Sequence, residues 1–501
     1  MIVSASKDRL VYPSDKNAKQ KGFPFVLPSI PWIYFGIGLM LAVPAFTESS
    51  LLRMAVLVPF SIILFGFLFS SFVSPLPAMM ALIVYIPYSK AISGNFGGAI
   101  TGFNFTTALM LIIVLGMYLQ SQKVQKDEPL PLEKSFRSLV FFFCILGAIS
   151  VLHSVMVCFD CTFFSMIVFF KRWVEPFLVF FLFSHLVRNQ EDGKKIICLM
   201  AGSLVIVGIG SIWEVHILKE QSHWLRFSGL ADQANNMGAF YSDYIFLILG
   251  FLMMKGIGSL KKALIVLGAY GFLMGLLGTE SRGDLMALVG GICLFLFLRN
   301  RLMFFAFIMT VAFLVANIQF LPKGLRSRLE KTVVVQKDPY GLGDSQHFDP
   351  GAETRLAIWK GARKMIFSHP LMGVGLGMFP ENIYKYVPHN DETAHLALHR
   401  RDGHNAYLMI GAEMGIPALL LMITMIVFMI RVAIRSYRAS PDPFWKIVSI
   451  SLVCTVLSLV VTNMFGSRFI TLLLAGYLWT IVAILLKVPK WAKEESAEYS
   501  T

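Results

Sequence analysis

Long apolar runs recur along nearly the whole of this chain, and they leave few folds open to it. A run of about 18 or more apolar residues can cross the ~30 Å hydrocarbon core of a bilayer as a helix. Of the 501 residues 56% are hydrophobic and only 15% charged, and the mean hydropathy is +0.68. A soluble chain of this size needs more polar surface than that to cover its core. A transmembrane β-barrel needs alternating segments of about ten residues, and these runs do not alternate. The expected fold class is all-α: a polytopic transmembrane helical bundle.

Fourteen spans are expected, near 30–46, 52–73, 75–91, 104–120, 138–156, 163–186, 196–214, 237–254, 262–279, 284–298, 302–320, 405–430, 445–463 and 468–486. Pro75, Pro77 and Pro87 interrupt the third. The divisions that follow are a cytoplasmic N-terminal segment (1–29), a bundle of eleven spans (30–320), a large outer loop (321–404), three further spans (405–486) and a cytoplasmic tail (487–501).

The net charge of +14 sits in short loops between apolar runs, without the basic stripe or aromatic–basic array of a nucleic-acid binder. Membrane topology accounts for it. With the N-terminus inside, alternate loops carry Lys123, Lys126, Lys134 and Arg137, then Arg188, Lys194 and Lys195, then Lys255, Lys261 and Lys262. Arg299 and Arg301, then Arg431, Arg435 and Arg438, and last Lys487, Lys490 and Lys493 continue the series, while the intervening short loops are poor in basic residues. Both termini are thus expected in the cytoplasm and 321–404 outside. The N-terminal stretch, with Lys7, Arg9, Lys16, Lys19 and Lys21 before the first span, shows no small-residue cleavage site and does not read as a signal peptide.

The outer loop is too long for an idle connection. An amphipathic helix is expected over 353–368, with Leu356, Trp359, Ala362 and Ile366 on one face and Lys360, Arg363 and Lys364 on another. The glycines of 373–377 read as a tight turn returning the chain to the membrane, since no full phosphate-cradling motif accompanies them. His395 and His399, at i,i+4 with Asp391 nearby, have a zinc-ligand spacing but no H-E-x-x-H pattern, and no metal is expected. Cys144, Cys198, Cys293 and Cys454 fall inside spans as small packing residues. Cys158 and Cys161, beside Asp160, could form a disulfide in an oxidising compartment.

Three sets of residues could carry chemistry. His404 meets Asn405 where the outer loop enters a span, so its imidazole feels the positive end of a helix dipole, which disfavours protonation. A neutral imidazole can take a proton from a hydroxyl; the alternative role is a helix cap. Arg226, Arg282, Arg355 and Arg468 lie near the outer face. Guanidinium binds phosphate oxygens through two parallel bonds, so converging arginines fit a phosphate-bearing ligand; snorkelling at the interface is the alternative. Lys171, Arg172 and Glu175 interrupt an apolar span and need partners or water, and Arg172 with Glu175 at i,i+3 could pair.

Three segments in this order, GTESRGDLMALVGG (278–291), RLAIWKGARKMIFSHPLMGVGLGMFP (355–380) and HNAYLMIGAEMGIPALLL (404–421), resemble the O-antigen ligase and polymerase family of bacterial envelope glycosyltransferases. The family pattern sets His–Asn nine residues before Gly-x-x and then Gly, Thr or Tyr; here Gly415 is in place and Ala418 departs from the last position. The resemblance implies an inverting transfer outside the cytoplasmic membrane, from a glycan on undecaprenyl diphosphate to a sugar hydroxyl, without nucleotide sugar, metal or other cofactor. By matching position it implies His404 as catalytic base and Arg282 as a diphosphate contact, with Arg226 and Arg355 as further substrate contacts; Arg172 rests on its apolar setting alone. Implied partners are the lipid-linked donor, a glycan or lipid-linked acceptor, membrane lipid, a chain-length regulator and a flippase, and no nucleic acid. The outer loop and the number of spans favour a surface-polysaccharide polymerase; a ligase to lipid A-core is the alternative. From another class, a lipid-linked glycan flippase or a small-solute transporter fits the same hydropathy, although charges there usually gather at the midplane.

Overall fold

A computed structural model of the chain describes residues 28–46, 50–93, 102–121, 128–158, 162–221, 226–231, 233–321, 326–327, 333–336, 345–348, 350–387 and 401–498. Helices coincide with all fourteen expected segments. In order they are α1 (Trp32–Phe46), α2 (Ser50–Ser71), α3 (Leu76–Tyr85), α4 (Phe105–Ser121), α5 (Pro131–Val157), α6 (Phe163–Leu186), α7 (Gln190–Gln221) and α8 (Ala234–Leu252). Then come α9 (Ser259–Thr279), α10 (Arg282–Arg299) and α11 (Arg301–Ala316); α12 (Pro350–Ser368) belongs to the large loop. The last four are α13 (Ala406–Ala439), α14 (Pro443–Thr462), α15 (Leu472–Leu485) and α16 (Val488–Glu498). Among the described residues six stretches of helix are long and apolar enough to cross a membrane, including α5, the first part of α7, α9, α13 and α14.

The proline-rich third segment stays helical because its prolines fall where no helical N–H is lost. Pro75 precedes α3, Pro77 sits in its first turn, and Pro87 lies in a 3-10 turn that follows. Between membrane helices lipid supplies no hydrophobic drive, so close backbone approach matters more. Gly208 on α7 meets Gly268 and Gly271 on α9 so tightly that a Cβ on Gly208 would lie 2.3 Å from the Gly268 carbonyl oxygen. At the centre runs α15, every residue of which is buried. Trp479 there packs among Phe177, Phe180 and Phe469, with ring centroids 5.0, 5.7 and 5.3 Å away. Peripheral α11 buries no residue and exposes Phe305, Met309 and Phe313, an apolar surface suited to lipid.

The large loop is partly helical and also holds a short strand pair: Val333–Gln336 pairs antiparallel with Ser345–Phe348, Val333 opposite Phe348. One expectation about it needs correction. On α12 the buried face is Ile358, Ala362, Met365 and Ile366, whereas Leu356 is exposed; the apolar stripe is rotated because α12 lies against α13. The glycine-rich turn does return the chain to the bundle. Gly373, Gly375 and Gly377 all have positive φ (66°, 106° and 83°). Val374 and Gly375 N–H donate to the Ala412 and Glu413 carbonyls at 2.8 and 3.0 Å. Those two amides are therefore committed to α13 and do not cradle a phosphate. His395, His399 and Asp391 lie outside the described residues, as does Cys161. Cys158 is disulfide-bonded, while Cys144, Cys198, Cys293 and Cys454 are free thiols.

Candidate active site

His404 sits one residue before the cap of α13. Asn405 caps that helix, its side-chain oxygen accepting from Leu408 N–H at 3.1 Å. His404 itself has a left-handed backbone (φ 46°), costly for a residue with a side chain and kept only where the surroundings fix it. Three hydrogen bonds do so here. Trp359 on α12 donates its indole N–H to the Gly403 carbonyl at 3.1 Å. Ala406 N–H donates to the Asn463 carbonyl at 2.8 Å, and the third is the Asn405 cap itself.

Asn463, at the end of α14, is a hub. Besides holding Ala406, its side-chain oxygen accepts from Arg468 N–H (3.0 Å) and Phe469 N–H (3.2 Å). Arg468 is thereby set beside the histidine with its side chain almost wholly buried (3% exposed) and donating to Asn236 Oδ1. Asn235, next to it on α8, accepts from Arg226 at 2.7 Å, and Arg226 also donates to the Thr279 carbonyl at 2.8 Å. Asp284, fully buried in the first turn of α10, interacts electrostatically with Arg468, Arg226 and Arg355, and Asp243 and Asp402 also act on Arg468. Gly238 makes room for Asp284, since a Cβ there would lie 2.4 Å from Asp284 Oδ2.

His404, Asp402, Arg468, Asn235, Asn236, Gln233, Ser467 and Thr471 line a polar cavity of about 160 Å³. Asp402 Oδ2 is 3.7 Å from His404 Nδ1, close enough to favour an imidazolium but too far for a hydrogen bond. The opposing influences win. Burial first, then the cations Arg355, Arg468 and Arg401, push the imidazole below the ordinary histidine range despite Asp402. A neutral imidazole on a polar cavity that Arg468 also lines can accept a proton and can stand beside an anion.

Of the residues expected from sequence, His404, Arg355 and Arg226 thus fall into one cluster, with Arg355 acting on both His404 and Asp284. Arg282 opens α10 at the same end, half-buried and two residues before Asp284; residues so spaced do not face one another on a helix. Arg172 lies elsewhere, on a second cavity of about 470 Å³ that shares Ser467 and Thr471 with the first. The expected Arg172–Glu175 pair is not formed: Glu175 pairs with Lys171 at 3.0 Å, one helical turn away, and Lys171 also donates to the Gly102 carbonyl at 2.7 Å. Asn463, Asp284, Asn235 and Asn236 were not anticipated. The one sequence signal they offered was polarity at the edge of apolar runs.

Residues 267–423, from α9 through the first turns of α13, match the family model described as O-antigen ligase. That segment is similar to the O-antigen ligase family. It contains Asp284, Arg282, Arg355 and His404, so the match and the geometry coincide on one region. Together the O-antigen ligase segment and the apolar helices mark a multi-pass membrane protein, and the match supports a ligase- or polymerase-like enzyme in the broad sense. The family's spacing from His–Asn to glycine also acquires a reason. Gly415 (φ 83°, ψ 174°) breaks α13 into two helical pieces, a conformation closed to other residues. No curated protein matches the chain.

Proposed function

We propose that this chain is an inverting glycosyltransferase that moves a glycan from undecaprenyl diphosphate to a sugar hydroxyl at the outer face of the cytoplasmic membrane, as a surface-polysaccharide polymerase. The observation that carries the reading is His404: a histidine in a strained, triply anchored turn, kept neutral by burial and arginines, opening on a polar cavity. In this reading His404 takes the proton of the acceptor hydroxyl as its oxygen bonds to the anomeric carbon. The carbon–oxygen bond to the diphosphate breaks on the opposite face, inverting the centre. Negative charge grows on the departing diphosphate, and Arg226, Arg282 and Arg355 balance it. Asp284 holds cations together that would otherwise repel one another.

The test is extension of a lipid-linked glycan in membranes, with protein abundance measured in parallel. His404→Ala is expected to lose on the order of 10²–10⁴-fold in rate, the range of general-base catalysis, while lipid-linked donor accumulates. His404→Gln retains hydrogen bonding but takes no proton at neutral pH, so it should be nearly as inactive. Close to normal extension by His404→Gln would overturn the mechanism. Transfer of one glycan to lipid A-core, without a ladder of longer products, would identify a ligase instead.

A further inference from the structure

The larger cavity is not needed to explain proton transfer, yet its composition is that of a binding site. Its volume of about 470 Å³ falls in the usual range for small-molecule sites, about 300–1,000 Å³. Arg172 reaches it from nine residues inside α6, about 13 Å along the helix at ~1.5 Å per residue. A charge at bilayer depth is costly unless water or a partner meets it. Arg172 is exposed to the cavity and forms no hydrogen bond or ion pair among the described residues, because Lys171 has taken Glu175. A second donor is idle as well: the Trp173 indole N–H is buried without a partner among the described residues. Phe169 adds an aromatic wall, Lys90 a further cation, and Asn104 and Thr106 polar groups. Glu175 also lines the cavity but is paired with Lys171; the lining therefore combines a ring face, hydroxyl-binding groups and the positive charge of Arg172, and it adjoins the cavity of His404 through Ser467 and Thr471.

We propose that this cavity is a glycan subsite for an acidic sugar, whose carboxylate Arg172 receives while the aromatic wall lies against the ring. A pyranose has an apolar C–H face and a polar rim, and an aromatic surface beside hydroxyl-binding side chains matches both. A fixed guanidinium takes a carboxylate through two parallel hydrogen bonds. The proposal rests on the transferase reading and extends it: the sugar next to the reacting unit carries a carboxylate.

The experiment measures binding rather than transfer. An oligogalacturonate tetramer, maltotetraose and inorganic diphosphate are titrated into the full-length protein in detergent, followed by tryptophan fluorescence and thermal unfolding. The acidic tetramer is expected to bind about tenfold or more tightly than the neutral one, about 1.4 kcal/mol. Arg172→Gln should abolish that preference; Arg172→Lys should retain part of it, since it keeps the charge but loses the fork. Unfolding of the ligand-free variants separates lost binding from lost structure. Equal binding of both tetramers by the unaltered protein overturns the proposal, as does an undiminished preference in a folded Arg172→Gln. Diphosphate binding that depends on Arg172, with no response to the acidic tetramer, overturns it too by giving the cation to the donor headgroup. None of these readouts depends on His404, so failure of the subsite and failure of the transfer mechanism are distinguishable.

Discussion

Around His404, among the described residues, the carboxylate of Asp402 favours the imidazolium, while burial and the cations Arg355, Arg468 and Arg401 oppose it. A base works only when neutral, so activity should fall as pH drops through the imidazole pKa, and a depressed pKa keeps the enzyme active into more acidic solution. The two signs can be separated. Arg355→Gln removes a repelling cation, so the pKa rises and the acidic limb of the pH–rate profile moves to higher pH. Asp402→Asn removes a favouring charge, so the limb moves to lower pH. Both shifts are modest, because Asp402 is half exposed and solvent screens it. The profile is measured on glycan extension in membranes. Shifts in the same direction for the two variants would mean that these charges do not set the histidine's proton affinity.

Among the elements, α13 follows directly on the base, which sits one residue before its cap, and depends on the break at Gly415. An added Cβ there would lie 2.4 Å from the Leu371 carbonyl oxygen, in a backbone region closed to alanine. Gly415→Ala should therefore cost about 1–3 kcal/mol from backbone strain alone, before the clash. We expect lower heat resistance and lower membrane abundance. Gly290→Ala on α10, where a Cβ meets nothing within 4 Å, should be neutral or slightly stabilising. Unchanged heat resistance in Gly415→Ala would show that the helix does not need the break. The same element shows what sequence could reveal. The apolar runs announced their helices because hydropathy is a local property, and His404 stood out as an ionisable group at a helix entry. The partners did not stand out: Asn236 and Arg468, or Trp359 and Gly403, meet only through tertiary packing. At Glu175 the local spacing allowed two cations, and the carbonyl of Gly102, far away in the chain, fixed which one it took. The strand pair at 333–348 was illegible for another reason, since strands of four residues carry too little periodicity to register.

For the whole molecule, contacts between distant segments sort the connections into two ends. At one end Arg137 donates to the Ser184 carbonyl, Trp491 to the Arg188 carbonyl, and Lys194 pairs with Asp442. At the other Ser154 holds the Leu376 carbonyl, Arg226 the Thr279 carbonyl, and Ala406 that of Asn463. Of the basic residues named by the sequence, Arg137, Arg188 and Lys194 lie at the first end, and His404 with Arg226 and Arg468 at the second. Short loops rich in Lys and Arg stay in the cytoplasm, so the first end is expected inside and the second outside. Reporter fusions at 125, 191, 258 and 438 should then report cytoplasm, and fusions at 158 and 345 the opposite side. The outcome at 345 carries most weight. A lipid-linked glycan presented outside the membrane can reach His404 only if the large loop lies outside with it. A cytoplasmic signal at 345 would leave the helices and their contacts intact but put the base on the wrong side of the bilayer for the proposed donor.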